Sequence, residues 1–341
     1  MHVLLTGAGG FVGHHTLAHL LKNTDYEFVV TDSFRHRGNS ARLRSVFEEI
    51  PESRNRVRVV THDLTTPIDS VTRREFGKIN TIISMASESH VDRSIEEPRS
   101  FIENNVNLIL TLLDYSRNLD CLDLFLQIST DEVYGPAASN TKHREWDTYL
   151  PSNPYSASKA AQESICFSYW RTYGLPMVLT NTMNIVGERQ DTEKFVPMVI
   201  KNLIRNVPIP VHAKKTLDAW ESGSRFYLHA RNQADALLYI ILNKGRIKLN
   251  FSEENKVMEK FHIVGEKELT NEEMVRLLAS FIEVEPKIDF VDFHTSRPGH
   301  DLRYALDGQK MAGLGWKPPV PLEESLKRTV GWYQSNIDWI S

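Results

Sequence analysis

The chain has 341 residues, 41% of them hydrophobic and 25% charged, with a net charge of −4. This is the balance of a globular protein with a sizeable core, and it offers nucleic acid or an anionic membrane no general attraction, so an anionic ligand has to be held by a local site. Cys121 and Cys166 are the only cysteines and lack metal-ligand spacing, so no metal site or disulfide is expected and both are read as buried free thiols.

Val3 to Leu5 reads as a buried strand and Val12 to Leu21 as an amphipathic helix. Further strands are expected at Phe28–Thr31, Val57–Val60, Thr81–Ser84, Leu124–Ile128 and Met177–Thr180, with long helices at Phe101–Arg117 and Tyr155–Tyr173. Short apolar runs alternating with helical patterns predict an α/β fold, a Rossmann-type parallel sheet flanked by helices. After Asn181 the rhythm changes: Pro197, Pro208, Pro210 and the polar stretch His212 to Ser224 interrupt it. Helices return at Asn271–Phe281, capped by Thr270, and at Leu322–Ser335. The expected division is a cofactor domain of residues 1–180 that also receives 225–265, and a smaller mixed C-terminal substrate domain of 181–224 and 266–341. No apolar run approaches the roughly 20 residues that span a bilayer, and the start has no signal-peptide pattern, so a reducing cytoplasm is the expected compartment.

Thr6-Gly-Ala-Gly-Gly-Phe-Val-Gly13 follows the first strand and opens the first helix. Gly7 suits a tight turn, Gly10 lets backbone approach a pyrophosphate, and Gly13 allows close helix–strand packing. The helix start, with Phe11 and Val12, offers amide donors to phosphates. Asp32 ends the second strand, where a carboxylate accepts from adenosine ribose hydroxyls and repels a 2′-phosphate, so NAD is expected rather than NADP. Arg35 and Arg37 stand close enough in sequence to offset part of that repulsion. His62-Asp63-Leu64, after the third strand, is placed to hold the adenine.

Tyr155 and Lys159 lie four residues apart, on one face of a helix. An ammonium beside a phenol favours the phenolate and makes Tyr155 a usable base. Any helix can carry such a pair. The partner that gives it meaning is Ser129-Thr-Asp-Glu-Val-Tyr-Gly135 at a strand's carboxyl end, where ligands sit in open α/β sheets.

These segments together resemble the extended short-chain dehydrogenase/reductases and, more narrowly, the dTDP-glucose 4,6-dehydratases. The likeness is carried by Ala86-Ser-Glu-Ser-His-Val-Asp-Arg-Ser94, Ile128-Ser-Thr-Asp-Glu-Val-Tyr-Gly135, Asn153-Pro-Tyr-Ser-Ala-Ser-Lys159 and Arg297-Pro-Gly-His-Asp-Leu-Arg-Tyr-Ala305. The resemblance implies an NAD-dependent hydro-lyase acting on a nucleotide sugar. Tyr155 would take the C4 hydroxyl proton, Thr130 would bond the C4 oxygen, and Lys159 would also hold the nicotinamide ribose, with Ala86 beside the cofactor. Glu132 would remove the C5 proton, and a protonated Asp131 would donate to the departing C6 hydroxyl. Ser89, His90, Arg93, Asn181, Lys194, Arg225, Arg297 and His300 match substrate positions. Relatives pair through two long helices, so a homodimer is implied.

The likeness frays where the nucleotide and the sugar periphery are read. The family's Asn-Asn-Tyr-Gly-Pro is here Asn184-Ile-Val-Gly-Glu188, and His262 stands at a position usually Asn. dTDP-glucose, UDP-glucose, another nucleotide hexose or an N-acetylhexosamine therefore all stay open as substrate. A 4-epimerase or decarboxylase is the rival reading, with a non-catalytic NAD-binding regulator further off; Asp131 and Glu132 argue for elimination.

Overall fold

The computed structural model describes residues 1–35, 38–217, 219–292 and 302–340. Its centre is a seven-stranded, wholly parallel sheet. β1 (His2–Thr6), β2 (Glu27–Asp32), β3 (Val57–Thr61), β4 (Thr81–Ser84), β5 (Leu124–Thr130) and β6 (Met177–Thr182) supply six strands. Glu259–Ile263 adds the seventh beside β6, giving the order β3-β2-β1-β4-β5-β6 and then that strand. The strands are short and apolar because helices cover both faces. On one face α1 (Phe11–Asn23), α2 (Ser40–Glu49) and helix Ala230–Leu242 pack over Val3, Leu5, Val30 and Ile83. On the other, α3 (Ser70–Phe76), α5 (Pro98–Ser116) and α6 (Pro154–Tyr173) pack over Leu4, Ile82, Phe125 and Leu179; the short α4 (Val91–Glu96) precedes α5. The Rossmann-type expectation is met, and each expected strand and long helix lies within its observed bounds or within a residue of them.

The remaining strands build two small sheets. One joins Asn184–Val186, Ser224–His229 and Glu268–Thr270; the other joins Ile209–Lys215, Trp220–Ser222 and Ile288–Asp292. Helices Phe195–Arg205, Asn271–Ile282 and Leu322–Ser335 enclose a third core with them, around Val199, Ile209, Leu278 and Tyr333. The regular alternation does end after Asn181. Pro197 stands in the first turn of Phe195–Arg205, where its missing N–H would have no partner anyway. The polar stretch from His212 is largely strand, because alternate residues Val211 and Ala213 bury one face. Of the two thiols, Cys166 is buried but Cys121 is partly exposed, at a loop beside Ile79.

The order of the sheet reverses direction between β1 and β4, and an α/β sheet opens a crevice at its strand ends at such a point. That crevice organises the site.

Candidate active site

A cleft of about 360 Å³ runs along the carboxyl ends of the parallel strands. Its first wall is the glycine-rich turn. Gly7 has φ of +71°, and a Cβ there would meet the backbone of Ala86 at 2.9 Å. A Cβ on Gly13 would meet the Gly7 carbonyl oxygen at 2.1 Å, so α1 can rest on the turn only without a side chain there. Gly10 caps α1 without a side-chain acceptor, so amides of the first turn, at Phe11, Val12 and Gly13, line the cleft. Gly13→Ala is therefore expected to cost about 1–3 kcal/mol of stability and to abolish dinucleotide binding. Thermal unfolding and NAD titration by fluorescence check this.

Asp32 closes the same wall. Its carboxylate accepts from the Gly9 and Phe34 amides at 2.9 and 2.8 Å, while burial pushes its pKa up. Arg35 lines the cleft beside it, its guanidinium paired with Asp63 at 2.8 Å. Arg37 lies outside the described residues. Asp63, Leu64 and Ala86 line the cleft.

The second wall is the end of β5. Thr130, Asp131 and Glu132 pass from the strand into a single 3-10 turn. The Thr130 hydroxyl donates to Asp131 Oδ1 at 3.0 Å, and Asn153 Nδ2 donates to Glu132 Oε2 at 3.3 Å. Burial and the Glu132 charge lift the Asp131 carboxyl to about 7. Its other oxygen is buried with no hydrogen-bond partner.

α6 supplies the third wall. Asn153 and Ser156 form a capping box at its start, which fixes where the first turn begins. The Tyr155 amide donates to Ser94 Oγ at 3.1 Å, and Lys159 Nζ donates to the Ile128 carbonyl at 2.9 Å and to Gln162 Oε1 at 2.7 Å. The expected lowering of the Tyr155 pKa is not met in the chain alone. Burial, with the charges of Glu132 and Asp131, pushes the phenol up, and the Thr130 hydroxyl pulls the other way. Lys159 is itself lowered to about 8 by burial.

Ser89, His90, Arg93 and Lys194 form the outer rim of the cleft. Lys194 Nζ donates to the Ser89 carbonyl at 3.2 Å, and His90 Nε2 lies 3.3 Å from Glu193 Oε1. Two expected substrate residues, Asn181 and Arg225, are not in the lining of the cleft. Asn181 is fully buried behind the wall, donating to the Thr130 carbonyl at 2.8 Å and to Glu163 Oε1 at 2.7 Å. Arg225 donates to the Ser224 and Leu302 carbonyls at 2.7 and 2.6 Å and stacks 4.6 Å from the Tyr304 ring centre. Arg297 and His300 lie outside the described residues.

Sequence reasoning missed Gln190, Asp191 and Gln233, which also line the cleft. Buried oxygens or nitrogens of Thr31, His62, Ser129, Gln190 and Gln233 lie along it without partners. Unpaired buried polar atoms are costly, and an elongated polar ligand along these strand ends would satisfy them. Among the described residues no group of three His, Cys, Asp or Glu could hold a metal, and no helix is long and apolar enough to cross a membrane.

A glycine-rich strand–turn–helix, an acid ending β2, and a Tyr–Lys pair on the helix after β5 define an extended short-chain dehydrogenase/reductase. A sequence profile of GDP-mannose 4,6 dehydratase matches residues 4–329, and the chain belongs to that family. The dTDP-glucose 4,6-dehydratase of Haemophilus influenzae is 33% identical over 357 aligned residues, covering 98% of each chain. Among solved structures, DesIV of Streptomyces venezuelae, a dTDP-glucose 4,6-dehydratase with NAD bound, superposes with a TM-score of 0.85 at 32% identity, over 99% of this chain and 98% of that one. The UDP-glucose 4-epimerase of Thermus thermophilus, also with NAD, gives 0.81 at 26% identity over 98% and 99%.

Proposed function

We propose that the protein is an NAD-dependent nucleotide-hexose 4,6-dehydratase, converting dTDP- or UDP-glucose to the 4-keto-6-deoxy sugar. The observation that carries this is Asp131: a buried carboxyl with one oxygen unpartnered, on the same turn as Glu132 and beside Tyr155, its pKa raised by burial and the Glu132 charge to about 7. An epimerase needs only the redox pair; an elimination needs an acid and a base as well.

The cofactor is NAD, which supplies the hydride acceptor for C4 and later the donor for C6. Gly7, Gly10, Gly13 and the first amides of α1 would hold its pyrophosphate, Asp32 its adenosine ribose, and Lys159 its nicotinamide ribose. Tyr155, which needs a neighbouring positive charge to ionise readily, takes the C4 hydroxyl proton while Thr130 fixes the oxygen. The resulting ketone acidifies the C5 hydrogen, which Glu132 removes. Asp131 then protonates the departing C6 oxygen and water leaves; with hydride returned to C6, Glu132 would give its proton back to C5. Two adjacent carboxyls in one closed site disfavour double ionisation, which keeps Asp131 an acid while Glu132 is a base.

In this reading residues 1–180 with 225–265 carry the cofactor, and 181–224 with 266–341 carry the sugar nucleotide, Ser224–His229 bridging the two as a strand of a small sheet. We place the enzyme in the cytoplasm as a homodimer built on α5 and α6, which pack against each other and leave Ile102 and Tyr173 exposed. Light scattering at micromolar protein is expected to give twice the 39.2 kDa chain mass; a single-chain mass overturns the dimer.

The deciding experiment is mass spectrometry after incubation with NAD and, separately, dTDP-, UDP-, GDP- and CDP-sugars. Loss of one water without net NADH identifies the dehydratase and its nucleotide. Unchanged mass with altered chromatography identifies an epimerase instead.

A further inference from the structure

Behind the reacting groups lies an ion pair that this chemistry leaves unused. Lys260, on the Glu259–Ile263 strand, and Glu163 of α6 have no exposed side-chain surface, and Lys260 Nζ lies 2.6 Å from Glu163 Oε2. The ammonium sits among three rings, 4.7, 5.0 and 4.8 Å from the centres of Tyr134, Trp146 and Tyr149. The Tyr149 hydroxyl donates to the same carboxylate oxygen at 2.6 Å, and Asn181 Nδ2 donates to the other at 2.7 Å. A buried pair of this kind returns little net stability compared with apolar side chains filling the same space. Its position says more than its strength does.

Glu163 stands one helical turn beyond Lys159, on the same face of α6. Its neighbour Gln162 accepts the Lys159 hydrogen bond at 2.7 Å and donates onward to the Asn105 carbonyl, also at 2.7 Å. The Asn181 amide that holds Glu163 also donates to the Thr130 carbonyl at 2.8 Å. One carboxylate thus reaches the ammonium of the redox pair through charge and the end of β5 through a single amide.

We propose that Glu163 is a positioning residue for the reaction: paired with Lys260, its carboxylate supplies the counter-charge to the buried Lys159 one helical turn away, and through Asn181 it fixes the Thr130 end of β5. The inference rests on the reading of Tyr155 and Lys159 as the redox pair. Burial alone drives Lys159 down, and Glu163 is the largest influence opposing it, ahead of Cys166. Around Glu163 and Lys260 the other titratable groups are Tyr134, Glu145, Tyr149, Cys166 and His262. Of these only Glu145 is an acid, and it acts on Lys260.

The test reads Lys159 directly. Lysine side-chain NMR is followed against pH on the whole, ligand-free protein, with the Lys159 signal assigned from a Lys159→Met spectrum. Removing a nearby negative charge disfavours the ammonium, so Glu163→Gln should move the Lys159 titration down by about one pH unit. The alkaline limb of kcat/KM should move down with it. Because Gln leaves Lys260 without its counter-charge, the double variant Glu163→Gln, Lys260→Met is measured alongside. It should recover wild-type thermal stability while its Lys159 titration stays displaced, and Glu163→Asp should return the titration toward wild type. The proposal is overturned if Lys159 titrates at one pH in all forms, or if the double variant regains the wild-type alkaline limb, since Glu163 then serves only to neutralise Lys260. If the wild-type protein turns over no sugar nucleotide, the functional reading fails by itself, and the NMR titration still decides the role of Glu163.

Discussion

Replacing Glu132 by Gln should stop the loss of water without loosening the cofactor. The amide keeps the shape that Asn153 Nδ2 now contacts at 3.3 Å but cannot take the C5 proton. Removal of a general base costs about 10²- to 10⁴-fold in rate, and the loss should fall on elimination alone. Tyr155, Thr130 and Lys159 remain to oxidise C4, so a single incubation with the sugar nucleotide should accumulate NADH absorbance while mass spectrometry finds no product lighter by one water. NAD affinity, measured by fluorescence titration, should match wild type because Glu132 stands on the β5 wall and not on the glycine-rich turn. A parallel loss of NAD affinity would assign Glu132 a structural role instead.

Asp131→Asn should separate stability from activity in opposite directions. Burial and the Glu132 charge raise the Asp131 carboxyl from its ordinary 3.8 to about 7. A group raised in this way contributes stability that is full below the unfolded value and is lost as pH rises through the folded one. Above that range wild type must hold a second ionised carboxylate in a closed site, and Asn escapes this. Near pH 8 the variant should be more stable by on the order of 4 kcal/mol, the gap closing toward pH 4. Dehydration should fall by about 10²-fold or more, because the amide has no proton to give the C6 oxygen. Thermal unfolding at the two pH values, on ligand-free protein, reads the first effect. A gap that does not depend on pH would show that Asp131 is ionised throughout and cannot be the acid.

The Rossmann half was legible because its signals are local. Thr81–Ser84 and Leu124–Thr130 are short segments built on apolar pairs and triplets, Ile82-Ile83 and Leu124-Phe125-Leu126, and the turn from Gly7 to Gly13 combines spacing with strand-then-helix context. Thr130, Asp131, Glu132, Tyr155 and Lys159 could be placed beside the cleft from sequence because the β5 end and the start of α6 are each one continuous segment. What was missed depends on contacts between distant segments. Gln233 reaches the cleft from a helix 51 residues beyond its Thr182 neighbour, and nothing in its own window marks it. Asn181 matched a ligand position by resemblance, yet its amide is engaged behind β5. Nothing in its own window marks Lys260 as buried; only the Glu163 carboxylate 97 positions earlier reveals why it is inside. Glu163 did carry a signal, four residues after Lys159, but a charged residue one turn along a helix is ordinarily taken as solvated.

The turn that ends β5 carries an implication for how such an enzyme could be rebuilt. Val133 and Tyr134 are fully buried and Gly135 adopts φ of +74°, with Leu150 packed where its Cβ would be. These residues anchor the segment, so its shape does not depend on the two acids before them. The redox pair belongs to a separate element, α6. On the function proposed above, proton traffic for elimination is thus written in two consecutive codons on a scaffold indifferent to them, and hydride traffic is written elsewhere. Exchanging Asp131 and Glu132 for small neutral residues should leave an intact oxidising site with no means of expelling water: a change of reaction class with no change of architecture.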